Sequence, residues 1–320
     1  MRARGAGALV LRLVALAALA LVGPCPAQGG QVRVAPISAV DDAGRTIVLD
    51  RPASRVVTLA PSLTELVFAA GAGATIVGTT SLGNYPAAAR AIPRIGDAAR
   101  LDVERIVAMK PDLVVVWRHG NTSRELGQIE AAGLTLFQIE PQRLDDVARA
   151  IERLGHLTGH DAGARAAAAS LRASLEALRR QHAVAEPVRV FYQVWSNPLM
   201  TVGRNQIIND VIELCGGRNV FASLAPLVPL VSTEAVVAAD PQAIITADET
   251  GGTELLRRGA DGAALDMWRR HAGLGAVEGG WLYTINGDAI SRQGPRIVDG
   301  AAAMCRALDD VRRERKTRSR

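Results

Sequence analysis

The chain has 320 residues, 48% hydrophobic and 22% charged, which excludes disorder along its length and leaves room for two domains. Aromatic residues make up only 3%, which argues against a nucleic-acid surface built on base stacking. The net charge of +5 sits at the two ends, in Arg2, Arg4 and Arg12 and in six basic groups within 312–320; the slightly acidic body between them is not built for DNA.

Residues 1–27 read as a secretory signal. Arg2 and Arg4 give the positive start, the apolar run from Ala8 to Val22 is broken only by Arg12, and Cys25-Pro26-Ala27 offers small residues for cleavage. That run is short for a membrane span. The expectation is cleavage after Ala27 and a free periplasmic protein, with a frayed basic tail over 311–320. Cleavage leaves Cys215 and Cys305. An even pair in an oxidising compartment suggests a disulfide, and two separate buried thiols are the alternative. A bridge closing so long a loop stabilises by roughly 4 kcal/mol.

Val40 to Leu49 predicts a hairpin turning at Asp41-Asp42-Ala43-Gly44. Arg55 to Leu59 predicts a buried strand, followed by a helix from Leu63 to about Ala70 capped by Ser62. Thr75-Ile76-Val77 is a short strand, and the loop Ser81 to Pro86 follows it. Asp102 caps a helix over 103–109, Pro111 stops it, and Leu113 to Trp117 is a continuous apolar strand. A helix over 123–132 and a strand over 134–139 complete a β/α alternation, which implies a parallel sheet covered on both faces. Asp161–Ala183 reads as one helix, roughly 33 Å long at 1.5 Å per residue. Pro187 ends it, and a second β/α series opens at Val188.

The two series resemble each other. Leu101 to Val115 recurs 130 residues later as Val231 to Ile245: a cap, a glutamate-bearing helix, a proline stop and a buried strand. A looser echo at a spacing of 145 pairs Glu65 to Gly71 with Asp210 to Gly216. The expected fold is α/β, with two similar Rossmann-like lobes of mostly parallel sheet joined by a single long backbone helix. The N-terminal lobe spans 36–150, the helical connection 151–186 and the C-terminal lobe 187–310. Strand ends of both lobes would face a shared ligand cleft.

On these segments the chain resembles the periplasmic substrate-binding proteins that deliver cobalamin, haem or iron-siderophores to ABC importers. Val56 to Leu66, Glu104 to Val114, Cys215 to Phe221, Val231-Ser232-Thr233-Glu234 and Gly294-Pro295-Arg296 carry the likeness, over roughly 40–310 and in order. It lies nearest the cobalamin-binding branch. The resemblance implies a monomeric carrier of a corrinoid, without nucleic acid or catalysis, whose partners are the membrane permease subunits. It also implies a disulfide between Cys215 and Cys305, and docking of Glu104 and Glu234, one per lobe, in arginine pockets of those subunits. A first-turn glutamate also complements the helix dipole with no partner at all. For the cleft it implies Leu82 at an aromatic position, Tyr85 beside it, Trp117 and Trp195 at the mouths of the two lobes, and Arg292 for polar groups of the ligand. Two further pocket tryptophans of the branch fall near Ala98 and Val228.

Haem and ferric siderophores are the alternative cargoes. Haem calls for a Tyr or His axial ligand, and Tyr85 is the tyrosine placed there. The alternative of another class is a metal-dependent enzyme on the same scaffold. His156 and His160 have a helical chelating spacing, but Gly155 and Gly159 argue against a rigid helix and no third ligand presents itself. Walker A, G-x-S-x-G and H-E-x-x-H motifs are missing from the sequence, and no resident cofactor or metal is expected.

Overall fold

The computed structural model describes residues 36–97, 99–248, 253–259 and 263–318. The signal segment and Ala98 lie outside them. Strands β1 (Ile37–Val40) and β2 (Thr46–Leu49) form the antiparallel hairpin. Oδ1 of Asp41 holds its turn by accepting from the amides of Ala43 and Arg45 at 3.0 and 2.9 Å.

The first sheet contains β3 (Val56–Thr58), β4 (Ile76–Thr79), β5 (Leu113–Trp117) and β6 (Leu136–Ile139), all parallel, in the order β4-β3-β5-β6. Both faces are covered. Leu113 and Val115 of β5 pack into one core, Val114 and Val116 into another. Helices α1 (Pro61–Ala69), α2 (Val103–Ala108) and α3 (Ser123–Ala131) connect these strands. Helix α1 starts earlier than expected, because Pro61 has the backbone angle of a first helical residue. Its cap residue is Ala60, without a side-chain bond, so Ser62 is not the cap.

Helix α4 (Leu144–Thr158) opens the helical connection before residue 151 and runs unbroken where Gly155 argued against a rigid helix. Gly155 lies inside it, and a Cβ there would sit 2.1 Å from Cβ of Ala164. Glycine here permits close packing instead of breaking the helix. Gly159, in the left-handed region at φ 74°, ends α4, and α5 (Asp161–His182) follows. Arg172 of α5 bonds both Asp145, at 2.6 Å, and Glu152, also at 2.6 Å, so the helices run back to back.

The second sheet holds β7 (Val188–Ser196), β8 (Leu199–Thr201), β9 (Gly217–Asn219), β10 (Ala243–Asp248), β11 (Leu256–Arg258) and β12 (Leu282–Asn286). Its order is β11-β12-β10-β7-β8, with β9 also on β7; β8 and β11 are antiparallel to their neighbours and the rest parallel. Helices α6 (Ile207–Leu214), α7 (Thr233–Ala239), α8 (Ala263–Arg269), α9 (Gly275–Glu278), α10 (Gly287–Ile290) and α11 (Ile297–Arg318) complete this lobe. A disulfide joins Cys215, at the end of α6, to Cys305 in α11. The expected frayed tail is instead the last turns of α11. Arg312 is buried and donates to the carbonyls of Cys215 at 2.7 Å and Glu186 at 2.8 Å. Glu314 accepts from Arg258 at 2.9 Å and from the Trp281 indole at 3.2 Å.

The duplication holds in atomic detail. Asp102 and Ser232 cap α2 and α7 by accepting from the amides of Arg105 and Ala235. Ile106 and Val236 are the buried anchors. Lys110 and Asp240, at φ 47° and 40°, make the same left-handed exit before their prolines. Arg55 and Arg189 each close the loop by bonding a carbonyl there, of Met109 at 2.6 Å and of Asp240 at 2.7 Å.

The looser echo has a sharper role, because its two acids cross between the lobes. Glu65 of α1 is 2% exposed, with Oε1 3.1 Å from Arg292 and 2.7 Å from Arg296 and Oε2 2.9 Å from Arg296. In the opposite sense, Asp210 of α6 bonds Arg143 at 2.7 Å and the amide of Leu144 at 2.8 Å.

Two predictions follow from these contacts. Glu65→Ala leaves two guanidinium groups without their shared acceptor and should cost about 3–5 kcal/mol by chemical denaturation; a loss below about 1 kcal/mol would show that the cluster is dispensable. The second concerns acid. The bond from Arg258 holds the Glu314 carboxyl at about 2 instead of 4.5, so its contribution to the folded state is complete above 4.5 and is lost as the pH falls toward about 2. Protection factors along α11, which are corrected for the intrinsic exchange rate, should fall across that window, and Glu314→Gln should remove the fall there.

Candidate ligand-binding cleft

Parallel strands deliver their following loops to one edge of a sheet, and those edges of both sheets border the same cavity of about 660 Å³. Leu82 follows β4, Trp117 ends β5 and Glu140 follows β6. From the other lobe, Trp195 lies near the end of β7, Asp248 ends β10 and Asp288 lies in α10, just after β12. The wall also includes Arg292, between α10 and α11, and Val228.

Leu82, Trp117, Trp195 and Arg292 therefore line one cavity. Trp117 is 36% exposed and Trp195 48%, which is unusual for large apolar side chains and leaves their rings available to a flat ligand. Trp195 is steadied by its indole N–H, which donates to the Asn197 carbonyl at 2.9 Å.

Two residues have other surroundings than expected. Tyr85 is not among the residues lining the cavity; the Arg296 guanidinium lies 4.3 Å from its ring centre, a cation–π contact that braces the Glu65 cluster. Arg292 lines the cavity, yet its guanidinium already bonds Glu65, Asn84 at 3.3 Å and Asp288 at 2.7 Å. It is first a strut between lobes.

Polar groups that sequence reasoning missed complete the wall. His119 and Glu140 form a pair at 2.9 Å, with Glu140 nearly buried. Asp248 bonds Arg257 at 2.7 Å. Their place at strand ends was a usable signal; their pairing was not, because the partners come from separate loops.

Glu104 and Glu234 lie outside the cavity, exposed in the first turns of α2 and α7. Bonds from its own amide and from Ser232 hold the Glu234 carboxyl below the usual range, so it stays charged while facing water. The histidine pair is not a chelating pair. His156 belongs to α4 and faces Asp161 at 3.1 Å, whereas His160 lies beyond the helix end and bonds the Thr158 carbonyl at 2.8 Å.

Known proteins share this arrangement. Residues 56–268 match a family model described as periplasmic binding protein. The vitamin B12-binding protein of Vibrio cholerae is 34% identical over 258 residues, covering 80% of this chain and 90% of that protein. The namesake of Photorhabdus laumondii is 33% identical, over 80% of this chain and 88% of its own. Among solved structures, the periplasmic vitamin B12 binding protein BtuF of Vibrio cholerae superposes with a TM-score of 0.71 at 33% identity, over 81% of this chain and 98% of that one. The periplasmic haem-binding protein RhuT of Roseiflexus gives 0.68 at 25% identity, over 81% and 98%. With strand-end loops of two lobes gathered around one cleft, and this likeness along most of its length, the chain belongs to the periplasmic binding protein family.

Proposed function

We propose that this protein is a periplasmic receptor that captures vitamin B12 or a related corrinoid between its lobes and hands it to the membrane permease subunits of an ABC importer. The observation that carries the reading is the cleft wall. Exposed Trp117 and Trp195, one from each lobe, border a cavity rich in apolar surface, with Leu82 and Val228 beside them. A large flat ligand buries its faces against such surfaces and its amide fringe against polar residues such as Gln142, Gln206 and Arg292. The likeness to vitamin B12-binding proteins supports the same cargo. Capture makes and breaks no bond within the ligand's organic framework, and the protein acts as a monomeric carrier instead of an enzyme. Residues 1–27 serve export, 36–150 and 187–310 act as the two lobes, and 151–186 holds them at a fixed spacing.

Haem is the second reading, favoured by the likeness to RhuT. Titrations separate the two cargoes. Cyanocobalamin should bind with one-to-one stoichiometry by calorimetry, and haemin should give no saturable Soret shift; the reverse result would replace corrinoid by haem.

Glu104 and Glu234 are the docking points in this reading. They are equivalent by the internal repeat, exposed, and one per lobe, so two basic pockets on the permease would detect both lobes at once. Charge reversal at each, Glu104→Lys and Glu234→Lys, should cost about 2–5 kcal/mol of docking energy and leave cyanocobalamin affinity as it was. Unaltered association of the double variant with the reconstituted importer would rule these residues out.

A further inference from the structure

His119 lies on the cavity wall two residues beyond Trp117, with its side chain 53% exposed. Its Nδ1 is 2.9 Å from Oε2 of Glu140, whose side chain is only 4% exposed. Glu140 is itself held in place. The Trp117 indole donates to its Oε1 at 3.4 Å, the His119 amide to its Oε2 at 3.2 Å, and its own amide donates to Asp42 at 2.6 Å. A carboxylate at this distance accepts from Nδ1–H, and in the neutral ring that tautomer leaves the lone pair on Nε2. Nε2 makes no hydrogen bond to the described residues.

A carboxylate bonded to one imidazole nitrogen is the arrangement that orients the other nitrogen toward a metal. A bare ion does not fit, since among the described residues no group of three or more His, Cys, Asp or Glu is placed to hold one. The metal of a tetrapyrrole-type macrocycle brings its equatorial donors with it and takes only an axial ligand from the protein. An isolated, oriented imidazole matches that need. Were the His119–Glu140 pair merely structural, it would add little, because one partner is half in water.

We infer that Nε2 of His119, positioned by Glu140, is an axial ligand for the cobalt of the bound corrinoid. This rests on the corrinoid reading of the cleft. The step is a ligand exchange. The bond between cobalt and its coordinated water breaks and the water leaves; the Nε2 lone pair forms the new cobalt–nitrogen bond. The cobalt oxidation state is unchanged and no proton moves. The cleft therefore discriminates by axial chemistry as well as shape, favouring corrinoids with an exchangeable outer position over those capped by cyanide.

The test is a pair of titrations of the purified protein, with aquocobalamin and with cyanocobalamin, followed by visible absorbance and calorimetry. Bound aquocobalamin should take the spectrum of an imidazole-ligated cobalamin and bind at least about tenfold more tightly than cyanocobalamin. His119→Ala should lose both the spectral change and the preference; saturable cyanocobalamin binding by that variant, at whatever affinity, reports that the cleft still forms. Glu140→Gln should lower the preference toward that of the alanine variant. An unchanged spectrum of bound aquocobalamin, or a change that persists in His119→Ala, overturns the assignment. Failure of both corrinoids to bind overturns the corrinoid reading itself, and this assignment with it.

Discussion

A carboxylate removed from water is costly unless bonds replace its hydration, and Glu65 is almost wholly removed. Arg292 and Arg296 supply those bonds from the opposite lobe. The cluster fixes where the two lobes meet, beside the cavity wall to which Arg292 also belongs. Asp210 makes the corresponding contact in the other direction, to Arg143 and the start of α4. The two acids occupy equivalent places in the repeat, so the lobes are tied by a reciprocal pair of ionic contacts.

The apolar core reinforces this geometry. One continuous cluster runs from Val56, Val115 and Phe137 of the first sheet to Val188, Tyr192 and Tyr283 of the second, through Leu154, Leu171, Ile212 and Leu308 of the intervening helices. Each sheet packs its outer face into a separate cluster, one around Ile106 and one around Val236. Swinging the lobes far apart would open the shared core and strand the Glu65 charges. Both constraints oppose such opening, while the disulfide between α6 and α11 braces the C-terminal lobe internally.

Division of labour between the lobes' surfaces follows from strand direction. Strand ends gather at the cleft, where exposed tryptophans and paired polar groups can meet a ligand. The capped helices α2 and α7 stand apart from the cavity and present charged first turns to water. Substitutions at these first turns therefore leave the cavity wall untouched, although both surfaces arise from one duplicated unit.

By itself the sequence determined most of the local elements, the duplicated lobes and the tryptophans at the cleft edges. The apolar run of Leu113 to Trp117 and the caps at Asp102 and Ser232 are encoded in neighbouring residues, whose physics acts over a few positions, and the repeat at a spacing of 130 shows that local code twice. Position in the chain also marked Trp117 and Trp195, because a strand end implies a cleft edge. Tertiary structure alone decided which groups pair. The continuity of α4 was hidden by Gly155, whose small size matters only where Ala164 packs against it. The basic tail gained its order from Arg258 and Trp281, and Arg292 was claimed by Glu65, 227 residues away. His119 acquired its carboxylate in the same way, from a different strand end. Such contacts depend on distance in space, which local pattern does not carry.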